Sequence, residues 1–377
     1  MMNHILTQQL LSLIRTALWN ENPDINLFNK DTDWEHIAML ANKQTVLGIV
    51  ADGIKGIPNE LKPNNEFLSK LKKFRIKNIM NHELLNSVIE DINGKLRGEG
   101  IHCVLLKGQG LARNYPIPES RMCGDIDLYV GNENYKKVRL LLKQWGMLDG
   151  IWVESYQHLH FKYRGVAIEI HRIAGIIHNP LYNMRFKKWY KSLLDKPTDR
   201  KCVFGNENVN LPPIRFDALF IFYHFTRHLI SGGVGLRQLL DCAIFLNKYK
   251  DEINTEKLKN DINLFGLMQI WQVYGYIAVN YLGLPKESFP FYIDDKKTAA
   301  SAEFVFNDII MKYGNFGFFN PELKKRPEGF LSGKLFSFRR NMAYLVKCKD
   351  AFGDNVVFYA LFYIFNGMCN IIKFKKK

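Results

Sequence analysis

Residues 104–130 read VLLKGQGLARNYPIPESRMCGDIDLYV, and the contrast between the two ends of this stretch decides the fold. Val104-Leu105-Leu106 is a short apolar run, which reads as a buried strand. Lys107-Gly108-Gln109-Gly110 follows as a turn, whose glycines let backbone N–H groups come close to a phosphate. Asp125-Ile126-Asp127-Leu128-Tyr129-Val130 alternates charged and apolar residues. That is the strand period, so Asp125 and Asp127 share one face and Ile126 and Leu128 the other. Two neighbouring carboxylates repel, and they are costly near a core unless a cation or another partner compensates them. A divalent metal is the obvious partner, because hard cations take carboxylate oxygens and bridge to phosphate.

Residues 101–175 alternate strand and helix patterns. Strands are expected at 102–106, 125–130, 159–164 and 166–172, with a helix from Asn134 to Trp145 and a hairpin turn at Tyr163-Arg164-Gly165. In the last of these strands Ala167, Glu169 and His171 share a face opposite Ile168 and Ile170. Residues 1–98 read as wholly helical. Asp31-Thr32-Asp33 starts a helix at Trp34, and a long helix from about Glu66 to Leu96 stops at Gly98 and Gly100. After a short helix near Phe186–Leu194, a hairpin spans Lys201–Leu211, and Pro212-Pro213 marks a boundary. Beyond it helices are expected at 214–230, 235–249, 255–264, 266–282, 296–313, 332–348 and 354–374. The order gives an α+β fold, with a small mixed sheet flanked by N- and C-terminal helical regions. The expected divisions are 1–98, 99–212 and 213–377.

The chain has 377 residues, 47% hydrophobic and 13% aromatic, which excludes a disordered protein. A formal net charge of +15 favours anionic partners: nucleotides, nucleic acid, glycan phosphates or an anionic membrane surface. The basic residues are dispersed (Lys70–Lys77, Lys324–Arg326, Lys373–Lys377), and no stacking platform of aromatics stands out, which argues against nucleic acid. Six cysteines without a CxxC pair argue against a disulfide framework or zinc knuckle and fit a cytoplasmic protein. The N-terminus reads as an amphipathic helix and not as a signal peptide. Val356–Cys369 is almost wholly apolar but shorter than the roughly 20 residues a span needs. A buried helix is expected there, and a membrane-surface helix with the basic tail KFKKK is the alternative.

The chemistry-bearing set is Asp125, Asp127 and Glu169 as metal ligands, Gly108-Gln109 for a triphosphate, and Lys107 or Arg121 to neutralise developing charge. Three carboxylates around two divalent ions suit phosphoryl or nucleotidyl transfer. Each residue also has a plainer reading. Asp125 and Asp127 could form a solvated edge face, Glu169 could pair with Arg172 or Lys162, and Arg121 with Glu119 or Asp125. Downstream, His224/His228 and Arg237/Asp241 each sit at i, i+4. Arg237 or a histidine touching the nucleotide is one reading. An Arg237–Asp241 pair with histidines packed between helices is the other. His158, His160 and His171 could gather as a metal cluster near the sheet, or His171 could be a contact beside Glu169.

The combination LLKG…YP…R…DIDLYV, then IEIH, then GLRQLLD resembles the uncharacterised nucleotidyltransferase family of bacteria, within the polymerase-β-like nucleotidyltransferase superfamily, across roughly residues 30–250. The resemblance implies a minimal palm with Asp125 and Asp127 as paired Mg²⁺ ligands and Glu169 as the third carboxylate. It implies a two-metal site, an NTP donor and release of pyrophosphate on transfer to an unknown acceptor. The usual Gly-Ser turn maps onto Lys107-Gly108-Gln109, where the serine is missing, and the gap from Gly108 to Asp125 is longer than usual in the superfamily. Two alternatives stay open. One is a non-catalytic nucleotide-binding or regulatory module; the other is a membrane-peripheral protein of surface-glycan assembly.

Overall fold

A computed structural model describes residues 2–319 and 327–375. The first helices are α1 (Met2–Trp19), α2 (Trp34–Lys43), α3 (Leu47–Gly53) and α4 (Asn65–Gly98). Their starts follow from capping. Asp33 accepts from His36 N at the head of α2, and Asn64 accepts from Phe67 N at the head of α4. Then come β1 (Val104–Leu106), α5 (Gly108–Ala112), β2 (Asp125–Tyr129), α6 (Gly131–Gln144), β3 (Trp152–Glu154), β4 (His158–Tyr163) and β5 (Val166–His171). Next are α7 (Pro180–Leu194), β6 (Lys201–Phe204) and β7 (Glu207–Asn210). The chain continues with α8 (Ile214–Ser231), α9 (Leu236–Lys248), α10 (Thr255–Leu264), α11 (Met268–Tyr276), α12 (Lys296–Phe304), α13 (Phe330–Phe352) and α14 (Asn355–Lys375).

The strands form one mixed seven-stranded sheet in the order β3-β4-β5-β2-β1-β7-β6. The fold is α+β, as the sequence indicates. Arg164 and Gly165 both take positive φ (51° and 81°), the backbone that turns β4 directly into β5. The second hairpin turns at Gly205-Asn206, and its strand β7 joins the same sheet by pairing parallel with β1. β3 has no counterpart in the sequence reading. All three of its residues are exposed, so no apolar alternation marks it.

The two faces of the sheet meet different cores. Leu105, Ile126, Leu128, Ile168 and Ile170 pack with Val88, Ile92 and Leu96 of α4 and with Val138 and Leu142 of α6. Each such buried side chain contributes roughly 1.5–3 kcal/mol. On the opposite face Val104, Leu106 and Tyr129 join a larger core that includes α8, α9 and the N-terminal helices. The terminal regions are tied together there: the Arg15 guanidinium donates to Asn280 O and Tyr281 O at 2.8 and 2.9 Å, and Trp19 to Leu282 O at 2.6 Å.

α14 departs from the expected buried helix. Val356 is buried, but Val357, Leu361 and Phe365 are exposed. Its side chains beyond Phe365, with the basic residues of the tail, lie outside the described residues. Among the described residues no helix is long and apolar enough to cross a membrane.

Candidate active site

β2 and β5 run parallel, with Asp125 opposite Ala167, Asp127 opposite Glu169 and Tyr129 opposite His171. β4 pairs antiparallel on the far side of β5, setting His160 opposite Glu169 and His158 opposite His171. Because residues two apart along a strand share a face, these alternating positions place Asp125, Asp127, Glu169, His171, His158 and His160 on one face. It is the face toward the large helical core. The expected sharing of a face by Asp125 with Asp127, and by Glu169 with His171, is what the register gives.

The segment that delivers β2 is suspended from α4. The Asn78 amide donates to Glu119 O, His82 Nε2 donates to Arg121 O at 2.7 Å, and the Asn81 amide donates to Cys123 O at 3.0 Å. On the other side of the site, Lys107 holds a strained backbone (φ 52°, ψ −137°), unusual for a residue with a Cβ. Gly108 follows at φ 41°, and a side chain there would press on Asp125 O at 3.3 Å. The expected turn at Gly108-Gln109-Gly110 is the opening of α5, a single short turn of helix.

The bent backbone carries the Lys107 ammonium to 3.1 Å from Asp127 Oδ2. His171 Nε2 donates to Asp127 Oδ1 at 2.8 Å and lies 3.2 Å from Glu169 Oε2. His224 of α8 meets the Lys107 ammonium at 3.4 Å and packs edge-on against His228, with ring centroids 4.6 Å apart. The protein thus supplies its own compensation for a carboxylate that is 2% exposed.

The electrostatics follow from these contacts. Burial works against the Asp127 charge, but Lys107 and the His171 hydrogen bond overcome it and hold the carboxyl well below its ordinary range. Asp125, at the open start of the strand, is pushed up by its neighbour Asp127 and by lost solvation, with Lys107 and Arg237 opposing. For His171, burial is outweighed by hydrogen bonds to Asp127 and Glu169, which raise it and favour the imidazolium. Glu169 is lowered: burial opposes its charge, and the His171 hydrogen bond prevails. His224 goes the other way. Burial, then the Lys107 and His228 charges, hold it well below its usual value, so it is a neutral acceptor for the Lys107 N–H.

Lys107, Gly108, Asp125, Asp127 and Glu169 therefore converge, and Arg237 is close enough to act on the Asp125 charge. Two other expected phosphate contacts are engaged within the fold. Gln109 is 3% exposed, and its amide donates to His82 O at 3.2 Å and Asn86 Oδ1 at 2.7 Å. Arg121 is 4% exposed and grips Asp241 with two parallel hydrogen bonds of 2.7 Å, while Tyr115 gives Asp241 a third at 2.7 Å. The alternative partners Glu119 and Asp125 do not hold Arg121, and Asp241 does not pair with Arg237. A buried carboxylate needs several donors at once, and the Arg121 fork with Tyr115 supplies them. Arg237 instead donates to Met122 O, and its Nε meets no partner. Arg172, the alternative partner of Glu169, donates to Tyr156 O at 2.7 Å.

Sequence reasoning missed Tyr115, His82 and Asn78, whose partners lie far away in the chain. The donor set suits a hard divalent cation. Asp125 and Asp127 offer oxygens from one face, and Glu169 offers two more from the adjacent strand. No curated protein matches the chain, and no solved structure does. A family model described as "Uncharacterised nucleotidyltransferase" matches residues 30–283, a span that holds Lys107, the aspartate pair, Glu169, His171, α8 and α9. The chain belongs to this uncharacterised nucleotidyltransferase family.

Proposed function

We propose that the protein transfers a nucleoside monophosphate from an NTP to an acceptor hydroxyl and releases pyrophosphate, with Mg²⁺ held by Asp125, Asp127 and Glu169. The observation that carries this reading is the parallel register of β2 and β5, which sets Asp127 opposite Glu169 beside the Lys107 ammonium. A divalent cation at these carboxylates supplies Lewis-acid polarisation of the reacting phosphate and neutralises the leaving oxygen. The chain's own groups do the rest. Lys107, fixed by its backbone and by His224, meets the negative charge of the triphosphate, and the Gly108 backbone lets that group come close. Arg237 adds positive charge near Asp125. The acceptor oxygen bonds to the α-phosphorus as the bond to the bridging oxygen breaks. Where Glu169 completes the metal-binding set the hydroxyl proton passes to water, and where it stays free it takes the proton itself; in either case pyrophosphate departs with the bonding electrons.

The test is Mg²⁺–NTP binding by calorimetry together with transfer of label from α-labelled NTPs. The variant carrying Asp125→Ala and Asp127→Ala is expected to lose both. Unchanged binding and transfer in that variant would overturn the assignment. One observation favours a second reading, a module that binds nucleotide without turnover. Gln109 stands where the superfamily has serine, and its amide is spent on α4. NTP binding with no label transferred to any acceptor selects that reading.

A further inference from the structure

Beside the aspartate pair lies a second group of donors of different chemistry. His158, Glu169 and His171 each present a ligand atom, and the three atoms lie within 4.8 Å of one another. His158 and His171 are direct partners across β4 and β5, with ring centroids 5.0 Å apart. Glu169 Oε1 is 3.6 Å from His158 Nε2 and also 3.6 Å from His160 Nδ1. Strand backbone fixes all of these positions, so no loop has to close to gather them.

A hydrogen-bonded cluster alone would account for the carboxylate contacts, but it leaves two atoms unexplained. His158 Nδ1 and His171 Nδ1 are both buried without a hydrogen-bond partner, and His171 as a whole is 7% exposed. Buried imidazole nitrogens are ordinarily paired. An imidazole that ligates a metal through one nitrogen characteristically donates from the other to a carboxylate. In His171 Nε2 donates to Asp127 Oδ1 at 2.8 Å and lies 3.2 Å from Glu169 Oε2, which leaves Nδ1, without a partner, as the nitrogen free to ligate.

We propose that His158, Glu169 and His171 form a binding site for a borderline transition-metal dication, of the Mn²⁺, Co²⁺ or Zn²⁺ class, adjoining the aspartate pair and sharing Glu169 with it. Two imidazoles and one carboxylate suit such ions, whereas Mg²⁺ prefers oxygen alone. Tetrahedral bonds of ~2.0–2.1 Å to nitrogen and oxygen put donors roughly 3.3 Å apart, so small side-chain rotations close the present spacing. Asp127 then acts on both sides, as a ligand of the aspartate pair and as the hydrogen-bond acceptor that orients His171.

The site needs no nucleotide turnover, so it is tested by binding. Co²⁺ is titrated into the full chain in its absence of nucleotide, following visible absorption and calorimetric heat. Expected is one ion with the absorption of a nitrogen-containing coordination shell, and a loss of affinity of at least tenfold in His158→Ala. Glu169→Gln, which keeps the shape of the side chain, is expected to weaken binding likewise. Both variants are checked by far-ultraviolet circular dichroism and melting; because Glu169 also belongs to the aspartate site, the His158 variant decides, with His158→Gln replacing His158→Ala if the alanine variant does not fold. Co²⁺ affinity unchanged in the folded His158 variant overturns the proposal. So does a Co²⁺ site that survives His158→Ala but vanishes in Asp125→Ala, because the ion is then held by the aspartate pair. A protein that binds Co²⁺ through His158 but transfers no nucleotide refutes the proposed reaction and leaves this site standing.

Discussion

Replacing Arg121 by methionine separates the two roles open to it, a phosphate contact or a clamp between the site and α9. The Arg121 and Asp241 side chains are each 5% exposed, joined by two hydrogen bonds of 2.7 Å. Opposite charges about 4 Å apart at an effective dielectric of about 20 attract by roughly 4 kcal/mol. Methionine preserves most of the volume but leaves Asp241 a buried carboxylate whose remaining donor is Tyr115. Breaking a buried pair in this way costs about 3–5 kcal/mol, a large part of the roughly 5–15 kcal/mol that holds a typical domain together. Removing both charges in Arg121→Met with Asp241→Leu is expected to recover at least ~2 kcal/mol of the summed single costs. Urea unfolding followed by circular dichroism measures all four corners of the cycle, and calorimetry gives Mg²⁺–NTP affinity under folded conditions. A clamp predicts the large stability loss with affinity changed less than about threefold. If Arg121→Met costs under about 1 kcal/mol and abolishes nucleotide binding, the clamp reasoning fails and Arg121 is a phosphate ligand.

Three other perturbations have signs fixed by the geometry. Lys107→Met removes the cation that touches Asp127, so it should tighten binding of Mg²⁺ alone while weakening Mg²⁺–NTP by tenfold or more; parallel titrations that move in the same direction refute it. Gly48→Ala drives a Cβ into the Ser120 carbonyl, where α3 passes under the segment leading to β2, and should cost about 1–3 kcal/mol in urea unfolding. His178 packs against Tyr359 and Phe362 of α14 at 4.6 and 4.4 Å, and burial, then the Arg227 charge, push it down to about 4. The unfolded chain therefore takes up this proton first, near pH 6.5, so the contribution is complete above that pH and is lost as pH falls toward 4. Discounted for partial solvation, the loss is about 1–2 kcal/mol. His178→Phe should flatten that part of the stability–pH curve, and an unchanged slope counts against it.

What the sequence made legible was whatever has a period or a cap. Alternation in DIDLYV and in VAIEIH told which residues share a face, and Asp33 and Asn64 marked helix starts because their caps are local. Register was not legible. Sliding β5 by two residues against β2 would keep each face but part Glu169 from Asp127, and nothing within either strand forbids it. The packing of Ile168 and Ile170 against α4 and α6 fixes only the side that faces the aspartates. Partners across the chain were equally hidden. Lys107 meets His224, 117 positions away, and Arg121 meets Asp241, 120 positions away. The near-neighbour pairing of Arg237 with Asp241 was the natural reading because helix spacing is local information, yet burial of Asp241 demanded a bidentate donor from elsewhere. The same lesson alters the argument for a metal. Paired acidic residues near a core imply positive charge, but here Lys107 and His171 already provide it. The carboxylates are thus held stable and preorganised without an ion. A dication entering the aspartate pair must compete with the Lys107 ammonium for Asp127, and an arriving triphosphate can draw that ammonium away. In the proposed reaction metal and nucleotide binding are coupled through this one side chain, which is why the opposite responses expected of Lys107→Met bear most directly on that proposal.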